Sequence, residues 1–316
     1  MRAMVISRFG GPDVFELQDR PRPVAGPGEL LVRVVASGTN PVDAKIRQAG
    51  SWAGIPFPAV LGYDVSGVVE EVGPGVTGFK AGDEVFYTPE IFGNPNGSYA
   101  DYTVAAASIV AHKPPGLSHV EAAGIPLAGG TAWEAIIRRL AVRPGETVLI
   151  HGGAGGVGSF AIQFAKAAGA RVLATASKAN HEAMRDLGAD VTLDYRDTDV
   201  MDQILREAGG AGVDASFDTA GGNVPMSTQV TRPFGRIATI LPPTGDLDAL
   251  YVKNQTLYGT FLTREGARLR EMAPLFERGQ ARVIVDAVLP LEQVGKAHER
   301  LDSGHGRGKI ILQVGA

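Results

Sequence analysis

The chain of 316 residues is 44% hydrophobic and 20% charged, with 30 Lys and Arg against 34 Asp and Glu, a balance that fits a soluble protein of about two domains. A net charge of −4 supplies no field to draw in nucleic acid or an anionic membrane, and the absence of cysteine excludes disulfides, thiol nucleophiles and thiolate metal ligands. No window reaches the roughly 18 apolar residues of a membrane span, and MRAMVISRFGG at the start holds no signal-peptide stretch, so the expectation is a cytoplasmic protein with no nucleic-acid or membrane partner.

In the first third, short β-like runs alternate with turn residues: AMVISRFG, VFELQDRP, ELLVRVVASG, DVSGVVEEVG, DEVFYTP and YADYTVAAA. Their period and their Gly and Pro punctuation predict a mostly β domain of barrel or partly open type. From about residue 123 the texture changes: AAGIPLAGGTAWEAIIRRL has helical period, and VRPGE interrupts it. Apolar runs at 147–152, 171–176, 191–195, 213–219, 235–241 and 256–262 then alternate with helical segments, which predicts βαβ units and a parallel sheet. Beyond 264 come a helix (EGARLREMAPLFERG), the run VIVDAVLPL, a helix over 291–302 and a final strand, GKIILQV. This return to β patterning is expected to rejoin the first domain.

Between TVLI and SFAIQFAKAAGA stands HGGAGGVG, five glycines in eight residues at a strand-to-helix junction. Gly153, Gly155 and Gly158 fit G-x-G-x-x-G. In such a turn the first glycine permits the tight bend, the second lets a pyrophosphate approach the backbone, and the third packs helix on strand. The helix start adds free N–H donors and a positive dipole end, so Gly153, Gly155, Gly156, Val157 and Gly158 are the expected phosphate-binding residues. An NAD site usually carries an acid about 20 residues further on, for the ribose 2′-OH. No acid occurs between Glu146 and Glu182; Ser177 and Lys178 follow the second strand, with Tyr195 and Arg196 after the third. A hydroxyl and cations at that place suit a 2′-phosphate, and the expected cofactor is NADPH. The plainer reading of Lys178 is the start of a solvated helix. LPPTGD, from Leu241, follows the fifth strand at the carboxyl edge, where open α/β sheets bind ligands; Phe261 ends the sixth strand and packs either near the cofactor or at an intersubunit edge. His112, His119, His151, His181, His298 and His305 show no close ligand spacing, and no metal site is expected.

GTNPVDAKIRQAG, FPAVLGYDVSGVVEEVGPGVTGFKAGDEVF, PLAGGTAWEAI, the glycine turn, LGADVTLDY and FDTAGG, in this order, make the chain similar to the zinc-free quinone oxidoreductase, or zeta-crystallin-like, branch of the medium-chain dehydrogenase/reductases. The resemblance implies an α/β protein: a GroES-like, mostly β catalytic domain over 1–122 completed by 266–316, a Rossmann NADPH-binding domain over 123–265, and a homodimer. Zinc enzymes of the superfamily carry a ligand Cys where this chain has Asn40 and a ligand His where it has Tyr63. Without zinc to polarise a carbonyl, a quinone or α,β-unsaturated carbonyl is the implied substrate. Asn40 and Tyr63 are then the implied catalytic residues, and Thr131 the implied neighbour of the nicotinamide. Two of these three have a structural alternative: Tyr63 as a core tyrosine with a satisfied hydroxyl, Thr131 as a helix N-cap. Asp43 and Asp64 read as hydrogen-bond partners rather than acids, His151 as a packed strand end, and Trp52 either as a flank of the substrate entrance or as cover for a hydrophobic edge. Two other functions stay open, reduction of an enoyl thioester or other activated alkene, and a non-catalytic nucleotide-binding role.

Overall fold

A computed structural model describes residues 1–304 and 306–315; His305 lies outside them. The first 112 residues supply β1 (Arg2–Ile6), β2 (Glu16–Asp19), β3 (Glu29–Gly38), β4 (Ala59–Val60), β5 (Val65–Val72), β6 (Glu84–Tyr87), β7 (Tyr102–Ala106) and β8 (Ala111–His112). Between β3 and β4 runs a helix that the sequence reading does not anticipate, α1 (Pro41–Ala49). Asn40 is its N-cap residue and Pro41 its first helical residue, where a missing N–H costs nothing. The Asp43 carboxylate accepts from the Asn40 backbone N–H at 2.9 Å, which turns the chain into the helix.

Helices α2 (His119–Ala122) and α3 (Pro126–Trp133) follow, and α3 continues as a π-helical segment over Glu134–Arg139. The alternating region then forms β9 (Thr147–His151), α4 (Gly156–Ala167), β10 (Arg171–Ala176), α5 (His181–Asp186), β11 (Val191–Asp194), α6 (Val200–Glu207), β12 (Val213–Asp218), α7 (Val224–Val230), β13 (Thr231–Thr239), α8 (Asp248–Val252) and β14 (Thr256–Gly259). The chain ends with α9 (Gly266–Glu277), β15 (Val285–Pro290), α10 (Val294–Asp302) and β16 (Lys309–Gln313).

The chain divides into two compact units. One comprises Met1–Leu127, Thr263–Glu277 and the segment from Val283 onward; the other comprises Ala128–Leu262 with Arg278–Arg282. The first unit holds a seven-stranded sheet in the order β15-β16-β3-β5-β6-β8, with β7 also on β3, and a small sheet β2-β1-β4. Strand β16 pairs antiparallel with β3 at Ile311↔Gly38, Leu312↔Ser37 and Gln313↔Ala36, which carries the last residues of the chain to the end of β3.

The second unit has the parallel sheet expected of it, ordered β11-β10-β9-β12-β13-β14. This is the Rossmann order, and its reversal falls between β9 and β12. Both strands are buried along almost their whole length, as a sheet covered on two faces requires. Leu149, Leu173, Leu193, Val213 and Val230 join Val200 and Ile204 of α6 in one apolar cluster. Among the described residues, no helix is long and apolar enough to cross a membrane.

Candidate functional site

At the carboxyl end of β9 the chain bends through Gly152, whose φ of +73° lies in the left-handed region. The bend therefore belongs to the glycine before the fingerprint rather than to Gly153. Gly153 is needed for packing: a Cβ there would lie 2.7 Å from Met184 Sδ and 3.0 Å from Ala174 Cβ. A Cβ on Gly158 would stand 2.2 Å from the Gly152 carbonyl oxygen, so the third glycine lets α4 close onto the turn. Gly155 differs from both. It is exposed, and its Cβ would meet only the Gly152 oxygen, at 3.4 Å. The outer side of the turn at Gly155 thus lies open, while the first-turn amides of Gly156, Val157 and Gly158 have no partner within the helix. A cradle open at its second glycine, with a helix start behind it, fits a pyrophosphate.

The neighbouring strand ends complete this edge. Ala176 of β10 is in register with Asp194 of β11, so Ser177 and Lys178 stand beside Tyr195 and Arg196. Ser177 Oγ accepts from Asn180 Nδ2 at 3.1 Å, which leaves its hydroxyl proton free to donate. Lys178 is exposed and its ammonium makes no ion pair among the described residues. Arg196 binds both oxygens of Asp194, at 3.0 and 2.7 Å, and lies over the Tyr195 ring at 5.6 Å. Asp194 escapes the sequence argument, which looks for an acid along the second strand; here the acid comes from the third. Its Oδ2 also accepts from the Lys178 backbone N–H at 3.1 Å, and the Arg196 bonds hold its carboxyl well below the usual range.

Asp218, at the end of β12, organises the turn that follows. It accepts from the amides of Ala220, Gly221 and Asn223 at 3.1, 2.8 and 2.8 Å, and Thr219 Oγ1 donates to the His151 carbonyl at 2.6 Å. The β9 and β12 turns are thereby tied across the switch point. An Asp followed by Thr-Ala-Gly-Gly is the sequence signal that could have found this turn. Leu241 is half-buried beside it, where a Cβ on Gly221 would strike its Cδ1 at 2.5 Å. His151 is buried at the strand end, 3.2 Å from Ser227 Oγ, and burial lowers its imidazole to about 4, against the raising effect of Asp218. Thr131 is buried inside α3, so it is not an N-cap. Phe261 is 57% exposed just after the edge strand β14.

The first unit buries a polar cluster that brings Asn40 together with Asp43 and Asp64. Asn40 Nδ2 donates to Asp64 Oδ2 at 2.9 Å, and Lys309 Nζ donates to Asn40 Oδ1 at 2.5 Å and to Asp64 Oδ2 at 3.0 Å. The Leu127 backbone N–H donates to Asp64 Oδ1 at 2.7 Å. Asp43 takes hydrogen bonds from the Asn40 backbone N–H and, at 2.7 Å, from Tyr99 OH, which sits 3.2 Å from His298 Nε2. Burial raises both carboxyls, Asp43 to about 7, although Tyr99, Asn40 and Lys309 oppose the shift at Asp43 and Lys309 opposes it at Asp64. Both aspartates accept hydrogen bonds inside the cluster.

Tyr63 is fully buried, and its hydroxyl has no hydrogen-bond partner among the described residues. A core tyrosine normally satisfies that group, since leaving it unpaired costs about 1–3 kcal/mol. Burial, reinforced by the charge of Asp43, pushes the phenol far above its ordinary range. Trp52 is half exposed in the turn after α1 and meets Phe92 edge to face at 6.1 Å.

The sequence profile of the alcohol dehydrogenase GroES-like domain matches residues 26–115, and that described as zinc-binding dehydrogenase matches 187–312. An NADPH-dependent alkenal/one oxidoreductase of Arabidopsis thaliana chloroplasts is 34% identical, over 99% of this chain and 79% of its own. The human quinone oxidoreductase is 32% identical over 99% of this chain and 97% of its own. A crystal structure described as an NAD-dependent alcohol dehydrogenase superposes with a TM-score of 0.93 at 34% identity, covering 100% of both chains. The zinc in the second profile's description does not fit the donors here. Positions 40 and 63 offer an amide and a phenol, and the Asn40 oxygen already faces an ammonium that would repel a divalent cation. With relatives of this identity along its whole length, the chain belongs to the zeta-crystallin-like, quinone oxidoreductase branch of the medium-chain dehydrogenase/reductase superfamily.

Proposed function

We propose that this protein reduces quinones or α,β-unsaturated carbonyl compounds with NADPH, residues 123–265 holding the cofactor and residues 1–122 with 266–316 forming the GroES-like catalytic domain. The observation that carries the catalytic part is the Tyr63 hydroxyl, a buried donor with nothing to donate to. Bound NADPH supplies a hydride to the conjugated system of the acceptor, and negative charge gathers on the acceptor oxygen. Tyr63, whose phenol burial holds toward its neutral form, stabilises that oxygen by a hydrogen bond, leaving protonation to solvent. Asn40 offers its second amide N–H to the same reacting pair.

On the cofactor side, the amides of Gly156, Val157 and Gly158 bind the pyrophosphate against the open flank of Gly155, with Gly153 holding the turn in place. Ser177 and Lys178 bind the 2′-phosphate, and Tyr195, ordered by Arg196, flanks the adenine end. Thr131, Leu241 and Phe261 complete the surroundings of the nicotinamide half. The same reading places the protein in the cytoplasm as a homodimer. The exposed edge strand β14 supports the dimer, and a composition free of cysteine and of apolar spans supports the compartment.

The test is oxidation of NADPH, and separately NADH, with 1,4-benzoquinone, 9,10-phenanthrenequinone and simple enones, beside oxidation of primary and secondary alcohols with NAD⁺ and NADP⁺. Turnover of quinones or enones with NADPH preferred is expected. Turnover confined to alcohols with NAD⁺, or cofactor binding with no turnover of any acceptor, overturns the proposal.

A further inference from the structure

The Asn40 amide stands between a group that only donates and a group that only accepts. The Lys309 ammonium faces Oδ1, and the Asp64 carboxylate faces Nδ2. All three residues are buried: Asn40 is 2% exposed, and the side chains of Lys309 and Asp64 are 4% and 0% exposed. With the other orientation of the amide, oxygen would face carboxylate and N–H would face ammonium, two repulsions at hydrogen-bond distance in a site where water cannot screen them. Lys309 has a second task. An unpaired buried carboxyl would take up a proton and become able to donate, which would remove its preference for Nδ2; the ammonium 3.0 Å away opposes that uptake. Asp64 is itself aimed by the Leu127 backbone N–H, which occupies its other oxygen.

We propose that Asp64 and Lys309 are positioning residues for the reaction: together they lock the orientation of the Asn40 amide, so that its one remaining N–H is presented to the reacting molecule. This rests on the reading of Asn40 as a group that meets the substrate or nicotinamide. Ordinary stability does not call for the device, because an apolar pair of similar volume usually serves a buried site as well as an ion pair does. What apolar groups cannot do is choose between two orientations of an amide.

The experiment follows from the chemistry of the lock. Changing Lys309 alone strands a charge, so the informative variant is the neutral pair Asp64→Asn with Lys309→Met. The amide introduced at position 64 keeps its oxygen on the Leu127 N–H and turns its NH₂ toward Asn40, which now demands Oδ1 there and reverses the Asn40 amide. With an enone acceptor, and with active protein counted by NADPH titration, kcat is expected to fall about tenfold or more while the NADPH dissociation constant moves by less than about threefold. Asn40→Ala should cost a similar factor, and adding the neutral pair to Asn40→Ala should cost less than about a further twofold, because nothing is left to orient. Lys309→Arg, which keeps donor and charge, should restore most of the rate. A merely structural pair would instead lower the melting temperature and multiply its cost onto Asn40→Ala. Full multiplicativity, or a neutral-pair variant at wild-type kcat, overturns the proposal. Asn40→Ala at wild-type rate removes the premise instead, and the proposal with it. If the neutral pair does not fold, Asp64→Asn with Lys309→Gln replaces it in the same comparison, with a loss that must vanish in the Asn40→Ala background.

Discussion

Two alanine substitutions in the glycine turn separate its two functions. A Cβ on Gly158 would sit 2.2 Å from the Gly152 oxygen and 2.8 Å from both the Gly152 carbonyl carbon and the Gly153 Cα. All three atoms are backbone, so the turn itself must retreat by about 1 Å to reach ordinary contact, at a cost of about 1–3 kcal/mol. For a unit of this size that lowers the melting temperature by about 3–10 °C, and the displaced turn also binds NADPH poorly. Gly155→Ala meets nothing closer than 3.4 Å, and its φ of −73° and ψ of 173° suit any residue. The apo protein should melt within about 2 °C of wild type, since relief of unfolded-state entropy offsets the small crowding. The new methyl nonetheless occupies the open side of the cradle, where the proposed placement brings the pyrophosphate against the backbone. Affinity for NADPH should fall about 10- to 100-fold, or about 1.4–2.7 kcal/mol. Fluorescence titration with NADPH, paired with thermal melts with and without it, reads both quantities. A Gly155→Ala protein that binds NADPH as tightly as wild type would refute the placement of the pyrophosphate on this turn.

Tyr63→Phe removes a hydroxyl that nothing in the fold satisfies, so stability should hold or rise by up to about 1 kcal/mol while kcat for enones falls about 10- to 100-fold; an unchanged kcat denies Tyr63 its role. Lys178→Glu should weaken NADPH by more than about tenfold and leave NADH nearly untouched, and equal effects on both cofactors would show that the 2′-phosphate lies elsewhere. Asp43 predicts a pH dependence of stability. Burial raises its folded value to about 7, above the 3.8 of a free carboxyl, so between these values the folded protein keeps a proton that the unfolded chain has lost. Its contribution is complete below about pH 4 and disappears as pH rises through about 7, amounting to up to about 4 kcal/mol. In Asp43→Asn the amide oxygen can still accept from Tyr99 and Asn40, so denaturant titrations of wild type minus variant should trace this fall, and a flat difference from pH 4 to 8 would contradict it.

The regular part of the fold is legible because its strands obey local rules. Six apolar runs anticipate six parallel strands, and only β13 begins well outside its run, at Thr231 rather than 235. Its opening TRPFG contains Pro233 and Gly235, with Phe234 at a φ of +59°, so after Thr231 pairs with Val213 the exposed Pro233 and Phe234 carry turn chemistry, and pairing with β12 and β14 runs from Arg236 onward. Helix α1 goes unread for a related reason. Its buried residues are Asp43, Ala44, Ile46 and Arg47, so half of its inward face is charged and the apolar period is broken. The Arg47 charge is met by Asp302 of α10 at 2.6 Å, a partner 255 positions away. The left-handed glycine of the phosphate turn lies one residue before the expected one because G-x-G-x-x-G records which positions need glycine and not which of them bends.

The buried polar cluster of the first unit is hidden by distance along the chain, yet two of its members announce each other. Asp64 stands alone in VLGYDVSGVV and Lys309 stands alone at the head of KIILQV, each a single charge beside a run that must be buried to form a sheet. Neither acid nor lysine is buried without a partner, so a lone charge in an apolar run implies an opposite charge in another. Here the implied partners are 245 positions apart and meet at 3.0 Å, because β16 pairs with the end of β3 while Asp64 lies just before β5, the next strand on the other side of β3. The Asn40 amide, which follows β3, falls between them as a consequence of that strand order. The sheet that pairs β16 with β3 is therefore also what builds this polar cluster, and a change that slips β16 against β3 should disturb Asn40 before it disturbs the glycine turn, which belongs to the other unit.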